Sequence, residues 1–292
     1  MPSFKTHSIH GESLLPIMDN QVEISKEDLK SFCIGPDSII LTDYKTFNYQ
    51  HSNKTKQYFY TLIDTIKEKR LLDNSEVMAF LYGQLDHFAL DSIMHPLIYY
   101  MTENIKSKFK IIPHGLIESW IDDYTTKINK KEESMYYKKW FIKNSELKNL
   151  INEVYSKVYG VKKEAFKYNF GMFATIMFDI LAKRNKIGIT PLVIKTFNLG
   201  DFMYKKNYNR ALPFLNLEKK VWLNPETGEK YEDSFDDLWT KSSNVALDMI
   251  DDVNGYLYQG KELKNELILN DISWNTGLPC EKGQTLKYTK KY

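Results

Sequence analysis

An all-α fold is what the sequence predicts: a multi-helix bundle forming a single domain over residues 1–292. Apolar residues recur at helical spacing through most of the chain, and no alternating apolar–polar run is long enough for a strand. No internal repeat or low-complexity linker breaks it up. With 292 residues and 42% hydrophobic side chains, the chain can bury a sizeable core.

The elements follow in order. Over residues 55–70, Tyr58, Leu62, Ile63 and Ile66 share one helical stripe. Residues 75–105 form a long apolar helix, in which Pro96 lacks an amide hydrogen and crowds the preceding turn, predicting a kink. Residues 114–128 carry Leu116, Ile117, Trp120, Ile121 and Tyr124 at helical spacing. A helix over 144–160 opens on a capping residue, Asn144 or Ser145, and closes at Gly160. Residues 163–184 are apolar on most sides, as a central helix would be, and 234–259 are amphipathic. Between them lie PLVIKTFNLGDF (191–202) and LNPETGEKYED (223–233), the latter with turn chemistry at Asn224-Pro225 and Thr227-Gly228. The last twenty residues are turn-rich and are expected to wrap over the bundle.

Charge and cysteine usage exclude several classes. A net charge of +2 gives no electrostatic basis for long nucleic acid or an anionic membrane as the main partner. No run of 18 apolar residues is present, so no transmembrane segment is expected. The first residues lack a basic segment followed by an apolar one, so no secretory signal is expected and a cytoplasmic location is. Cys33 and Cys280 stand alone, outside CxxC spacing; two isolated thiols fit a reducing compartment and argue against a thiolate metal site. The lysine-rich KINKKEESMYYKK (127–139) reads as a solvated helix face or a phosphate-binding patch.

The chemistry concentrates in HFALDSIMHP, residues 87–96. His87, Asp91 and His95 stand at four-residue steps, so they project along one face of a helix that is otherwise apolar. Inside a core, each polar group left without a partner costs about 1–3 kcal/mol. The row therefore needs a hydrogen-bond network, an ion pair or metal ions. His114 and Glu118, in HGLIE, repeat the four-residue spacing on the next helix. All six histidines, His7, His10, His51, His87, His95 and His114, fall within the first 114 residues. Ligands four apart on facing helices of a bundle can share a metal, and a histidine-rich set suits zinc rather than magnesium.

Further short motifs stand in order around this row: His7 in MPSFKTHSIHG, Gly35-Pro36-Asp37 in IGPDSI, and His51 in YQHSNKT. With YGQLDHFALDSIMHP and HGLIE, they resemble the zinc-dependent phospholipase C family, whose fold is shared with single-strand-specific zinc nucleases. WLNPETGEKYEDSFDDLW and TGLPC are similar to the intracellular branch of that family, so the resemblance extends over nearly the whole chain. It implies a multi-zinc site between core helices. Asp37, His51, His87 and Asp91 would hold one zinc; His95, His114 and Glu118 a second; His7, with Asp91 as a bridge, a third. In secreted members a free amino-terminal tryptophan completes the third site; this sequence begins Met1-Pro2 and departs from that pattern. His10 has no clear counterpart; three residues from His7, it either substitutes at that third site, if the segment is helical, or makes a surface or core hydrogen bond.

Two or three zinc ions outweigh the three carboxylates Asp37, Asp91 and Glu118, so the pocket would be cationic in a nearly neutral chain. An anionic phosphodiester would neutralise it, with the metal polarising phosphorus and activating water. By resemblance, Asp37 would position or deprotonate that water. The expected activity is zinc-dependent hydrolysis of a phosphodiester, with a phospholipid headgroup as the leading substrate class. The alternatives are a nuclease or nucleotidase on the same scaffold, or an inactive zinc-stabilised interaction protein. The 20 tyrosines, 16 phenylalanines and 5 tryptophans are core or a pocket for a quaternary ammonium group.

Overall fold

The computed structural model of the protein describes residues 4–102, 111–129, 141–183, 208–282 and 285–290. PLVIKTFNLGDF, residues 103–105 and all but the first three residues of KINKKEESMYYKK lie outside them. The described chain is all-α, with one small hairpin. Its helices are α1 (Phe4–Leu14), α2 (Lys26–Phe32), α3 (Tyr44–Ser52), α4 (Thr55–Glu68), α5 (Ser75–Thr102), α6 (Ile111–Ile128), α7 (Ser145–Tyr159), α8 (Glu164–Lys183), α9 (Phe235–Gln259) and α10 (Glu266–Leu269). A 3-10 segment, Gly35–Ile39, links α2 to α3. The hairpin pairs β1 (Trp222–Leu223) with β2 (Lys230–Tyr231) in antiparallel register, Trp222 opposite Tyr231. Gly228, at φ 75°, supplies the left-handed turn between them.

The central element is α5, not α8 as the apolar content of 163–184 suggested. Helix α5 is 28 residues long and packs against α1, α2, α6 and α9. Its apolar residues are buried on every side from Val77 to Leu90. Pro96 stands inside it. Two apolar clusters meet along its length. The larger gathers Leu81, Leu85 and Phe88 with residues of α4, α7 and α9 and with Trp274. The smaller gathers Leu90, Met94 and Leu97 with Ile117 and Ile121 of α6 and with Phe235 and Leu238 of α9. Full burial of one such side chain is worth about 1.5–3 kcal/mol, so the two clusters hold α5 firmly on both sides of its polar row.

The ends of the helices follow local chemistry. The Asn144 side chain accepts from the amides of Glu146 and Leu147, which selects Asn144 over Ser145 as the cap of α7. Gly160 closes that helix at φ 70°. Ser234 and Asp237 form a reciprocal capping box at the start of α9. Gly83 lets α2 approach α5: a Cβ there would lie 2.6 Å from the Phe32 carbonyl carbon.

The periodicity did not reveal α1, α2 or α3. They are short, and α1 turns Thr6, His7, Ser8, His10 and Glu12 into the interior, so no apolar stripe marks its buried face. The turn-rich end of the chain does lie over the bundle. Trp274 is fully buried, its indole N–H donating to the Thr55 hydroxyl at 2.9 Å. Beyond it, the Lys287 amide donates to the Pro225 carbonyl and the Lys290 amide to that of Tyr100.

Candidate metal centre

Five separate segments deliver the eight candidate ligands. Helix α5 brings His87, Asp91 and His95, all fully buried on one row. Helix α1 brings His7, the 3-10 segment Asp37, the last turn of α3 His51, and α6 both His114 and Glu118. Their atoms meet in three groups: His7, His87 and Asp91; Asp37, His51 and His87; and His95, His114 and Glu118. Within each group, one ligand atom per residue lies within 4.8 Å of the others. Gly35 permits the tight approach of the Asp37 segment. Its φ is +59°, and a Cβ there would sit 2.6 Å from Cγ of His87.

Asp91 is the hub. Its Oδ1 lies 3.2 Å from Nε2 of His7 and 3.6 Å from Nε2 of His95. Its Oδ2 lies 3.2 Å from Nε2 of His87 and 3.5 Å from Nε2 of His51. Asp37 Oδ1 is 3.2 Å from Nε2 of His51 and 3.7 Å from that of His87. His114 Nε2 is 2.9 Å from Glu118 Oε1, and His95 Nε2 is 3.9 Å from the same oxygen.

The opposite ring nitrogens explain why these Nε2 atoms are acceptors. His51 donates from Nδ1 to the Phe47 carbonyl at 2.8 Å, His87 to that of Cys33 at 2.9 Å, and His95 to that of Trp274 at 3.1 Å. A carbonyl can only accept, so each Nδ1 carries the hydrogen and a neutral ring presents a lone pair at Nε2. This outer arrangement is the one that orients metal-ligating histidines. Among the described residues, the Nε2 atoms of His7, His51, His87 and His95 and both oxygens of Asp37 and Asp91 are buried without a hydrogen-bond partner. Lone pairs facing lone pairs in a dry interior require a cation between them.

A proton is one such cation. Burial disfavours charge on His51, but Asp37 and Asp91 outweigh it and push its pKa up to about 9. Burial likewise opposes charge on His87, and the same two carboxylates raise its pKa nonetheless. Asp91 is disfavoured as an anion by burial, yet His87, His51 and His7 hold its carboxyl well below the ordinary range. Protons alone do not complete the arrangement. The His7 and His87 rings stack at 3.9 Å, and burial together with His87 lowers the pKa of His7, so the two rings resist being charged together. In the third group, burial drives His114 well below and Glu118 well above their ordinary values. Divalent ions satisfy several lone pairs at once, and imidazole with carboxylate is a zinc donor set, so these residues fit zinc.

His10 takes no part. Its Nδ1 lies 2.6 Å from Oδ1 of Asp86, and its Nε2 lies 3.1 Å and 3.0 Å from the hydroxyls of Ser242 and Ser243 on α9. It is a core hydrogen-bonding residue, so the alternative in which it substitutes at the third site does not hold.

Two residues at the site escaped the sequence. Asp122 of α6 accepts from the Thr6 amide at 2.8 Å, the Thr6 hydroxyl at 2.7 Å and the Lys5 amide at 3.2 Å, fixing the first turn of α1 next to His7. Its signal was present, for Asp122 continues the four-residue row of His114 and Glu118. Trp274 packs its ring 5.5 Å from that of His51 and 5.6 Å from that of His87, while its carbonyl orients His95. No spacing rule connects it with residues so far away in the chain.

No curated protein and no solved structure matches the chain. The family model described as zinc dependent phospholipase C matches residues 6–165, over half of the sequence. The matched stretch contains all eight residues, from His7 to Glu118, that converge along α5. The chain therefore belongs to the zinc-dependent phospholipase C family.

Proposed function

We propose that the protein is a zinc-dependent phosphodiester hydrolase that cleaves phospholipids to diacylglycerol and a phosphorylated headgroup. The observation that carries this is the set of buried lone pairs on His7, His51, His87, His95, Asp37 and Asp91, aimed at one another from separate segments. Asp37, His51, His87 and Asp91 would hold one ion, His95, His114 and Glu118 a second, and His7 with Asp91 a third. Zinc, when bound there, supplies Lewis acidity that polarises the phosphoryl group and lowers the pKa of water.

The chain itself supplies orientation and a proton acceptor. Asp37 Oδ1 lies closest to His51 and His87, and its Oδ2, like Oδ1, is buried without a hydrogen-bond partner among the described residues. That second oxygen is placed to accept the proton of an attacking water. The water oxygen bonds to phosphorus, the bond from phosphorus to the glycerol oxygen breaks, and that oxygen takes a proton from solvent to leave as the hydroxyl of diacylglycerol, while Asp37 later returns its proton to solvent. The carbonyls of Phe47, Cys33 and Trp274 keep His51, His87 and His95 in the tautomer that faces the site.

Metal analysis of protein purified without chelator, paired with turnover assays, tests the assignment. Two or three zinc ions per chain and chelator-sensitive hydrolysis of a short-chain phosphatidylcholine are expected. Less than about one zinc per chain would sink it, because a prebuilt buried cage retains its metal. Preferential hydrolysis of a single-stranded oligonucleotide would move the assignment to nuclease chemistry.

A further inference from the structure

The segments that carry Asp37 and His51 also build an exposed aromatic surface. Residues 38–43 run along α8: the Thr42 hydroxyl donates to the Lys167 carbonyl at 3.2 Å, and the Lys167 ammonium pairs with Asp43. Gly171 makes the approach possible, since a Cβ there would collide with the Ser38 carbonyl. Four large apolar side chains stand out along this seam. Phe166 is 70% exposed, Phe170 52%, Tyr44 54% and Leu41 54%. Phe166 and Phe170 are one helical turn apart, so they share a face of α8. Burying such side chains is worth so much that a cluster left in water marks a contact surface.

The charges around it say what it contacts. Lys45, Lys162 and Lys163, next to these residues in the chain, are exposed. The only acids in residues 41–45 and 162–170, Asp43 and Glu164, both pair with Lys167. The three remaining lysines leave the surface cationic. Aromatic side chains flanked by lysines suit a bilayer interface, where rings enter the headgroup boundary and ammonium groups meet lipid phosphates. A line of rings leads inward from this surface: Tyr44 lies 5.8 Å from Phe47, and Phe47 lies 4.3 Å from His51.

We propose that the surface where residues 38–44 run along α8, carrying Leu41, Tyr44, Phe166 and Phe170 with Lys45, Lys162 and Lys163 next to them in the chain, is a docking surface for anionic phospholipid bilayers. The proposal rests on the phospholipid assignment of the substrate for its purpose, but its test does not require turnover. The full chain is sedimented with vesicles of phosphatidylcholine alone and with about 30 mol% phosphatidylserine. Binding is expected to be stronger to the anionic vesicles and to weaken with added salt. Phe166→Ser with Phe170→Ser should lower vesicle partitioning about tenfold or more. The same pair should leave zinc content and hydrolysis of a water-soluble phosphodiester unchanged, and slow hydrolysis of bilayer lipid. Lys45→Glu with Lys162→Glu keeps the aromatic surface and should remove the preference for anionic vesicles. It provides the test independently if the first pair disturbs folding.

Wild-type protein that fails to sediment, or variants that bind like wild type, would overturn the docking surface. A wild-type dimer that Phe166→Ser with Phe170→Ser dissolves would assign the surface to a second copy of the chain and overturn the bilayer. Vesicle binding without hydrolysis of any phosphodiester would retain the docking surface and refute the enzymatic assignment.

Discussion

At Asp91 two carboxylate oxygens serve four imidazoles, those of His7, His51, His87 and His95. An amide cannot do this, because one of its two polar atoms becomes a donor. Asp91→Asn should therefore lose at least about one zinc per chain, with hydrolysis reduced a hundredfold or more; metal analysis and initial rates check both. Asp122 acts at one remove, through the first turn of α1. Asp122→Ala should lower zinc occupancy by up to about one ion, about ten- to a hundredfold in affinity, while leaving the Asp37–His51 group loaded. A competitive chelator titration resolves the two classes. The row His87, Asp91, His95 was legible because one helix carries it, and geometry alone puts those residues on one face. Asp37 and His51 lie on separate short elements, so no periodicity joins them to α5; only the resemblance to a known family singled them out. His10 shows the limit from the other side: its place beside His7 in the sequence says nothing of its engagement with Asp86 and α9.

Helix ends and seams decide how firmly these residues are held. The Ser234–Asp237 capping box sets the start of α9, the helix most extensively packed on α5. Ser234→Ala should cost about 1 kcal/mol, read as a lower urea midpoint at unchanged slope. Asp43 both caps α3, through the Thr46 amide, and pairs with Lys167 of α8. Partial burial works against its charge, but Lys167 and Thr46 prevail and hold its carboxyl below its ordinary 3.8. A depressed carboxyl stabilises the fold above its unfolded pKa, and that contribution is lost as pH falls through the lowered value. The melting temperature of wild type should exceed that of Asp43→Asn by a constant margin between pH 5 and 7. The margin should close below about pH 3.8. Element by element, the long helices α4 to α7 and α9 were readable because each buries an apolar face over several turns. The early helices were not, since they bury polar side chains whose partners lie far along the chain.

For the molecule as a whole, the centre lies where the two apolar clusters of α5 meet, so its occupancy and the stability of the fold are linked. Buried carboxylates and imidazoles that lose a shared cation must regain protons or water. A strong chelator should lower the melting temperature by several degrees or more, since a ligand at a thousand times its Kd adds about 4 kcal/mol. Scanning calorimetry should show recovery with zinc and none with magnesium, which prefers octahedral oxygen ligands. Trp274 ties this linkage to the order in which the chain is made. Every candidate ligand is present once Glu118 has been synthesised, yet the indole that walls His51 and His87, and the carbonyl that aims His95, come far later. A nascent polypeptide thus holds all eight donors well before the stretch that packs on two of them and aims a third has emerged.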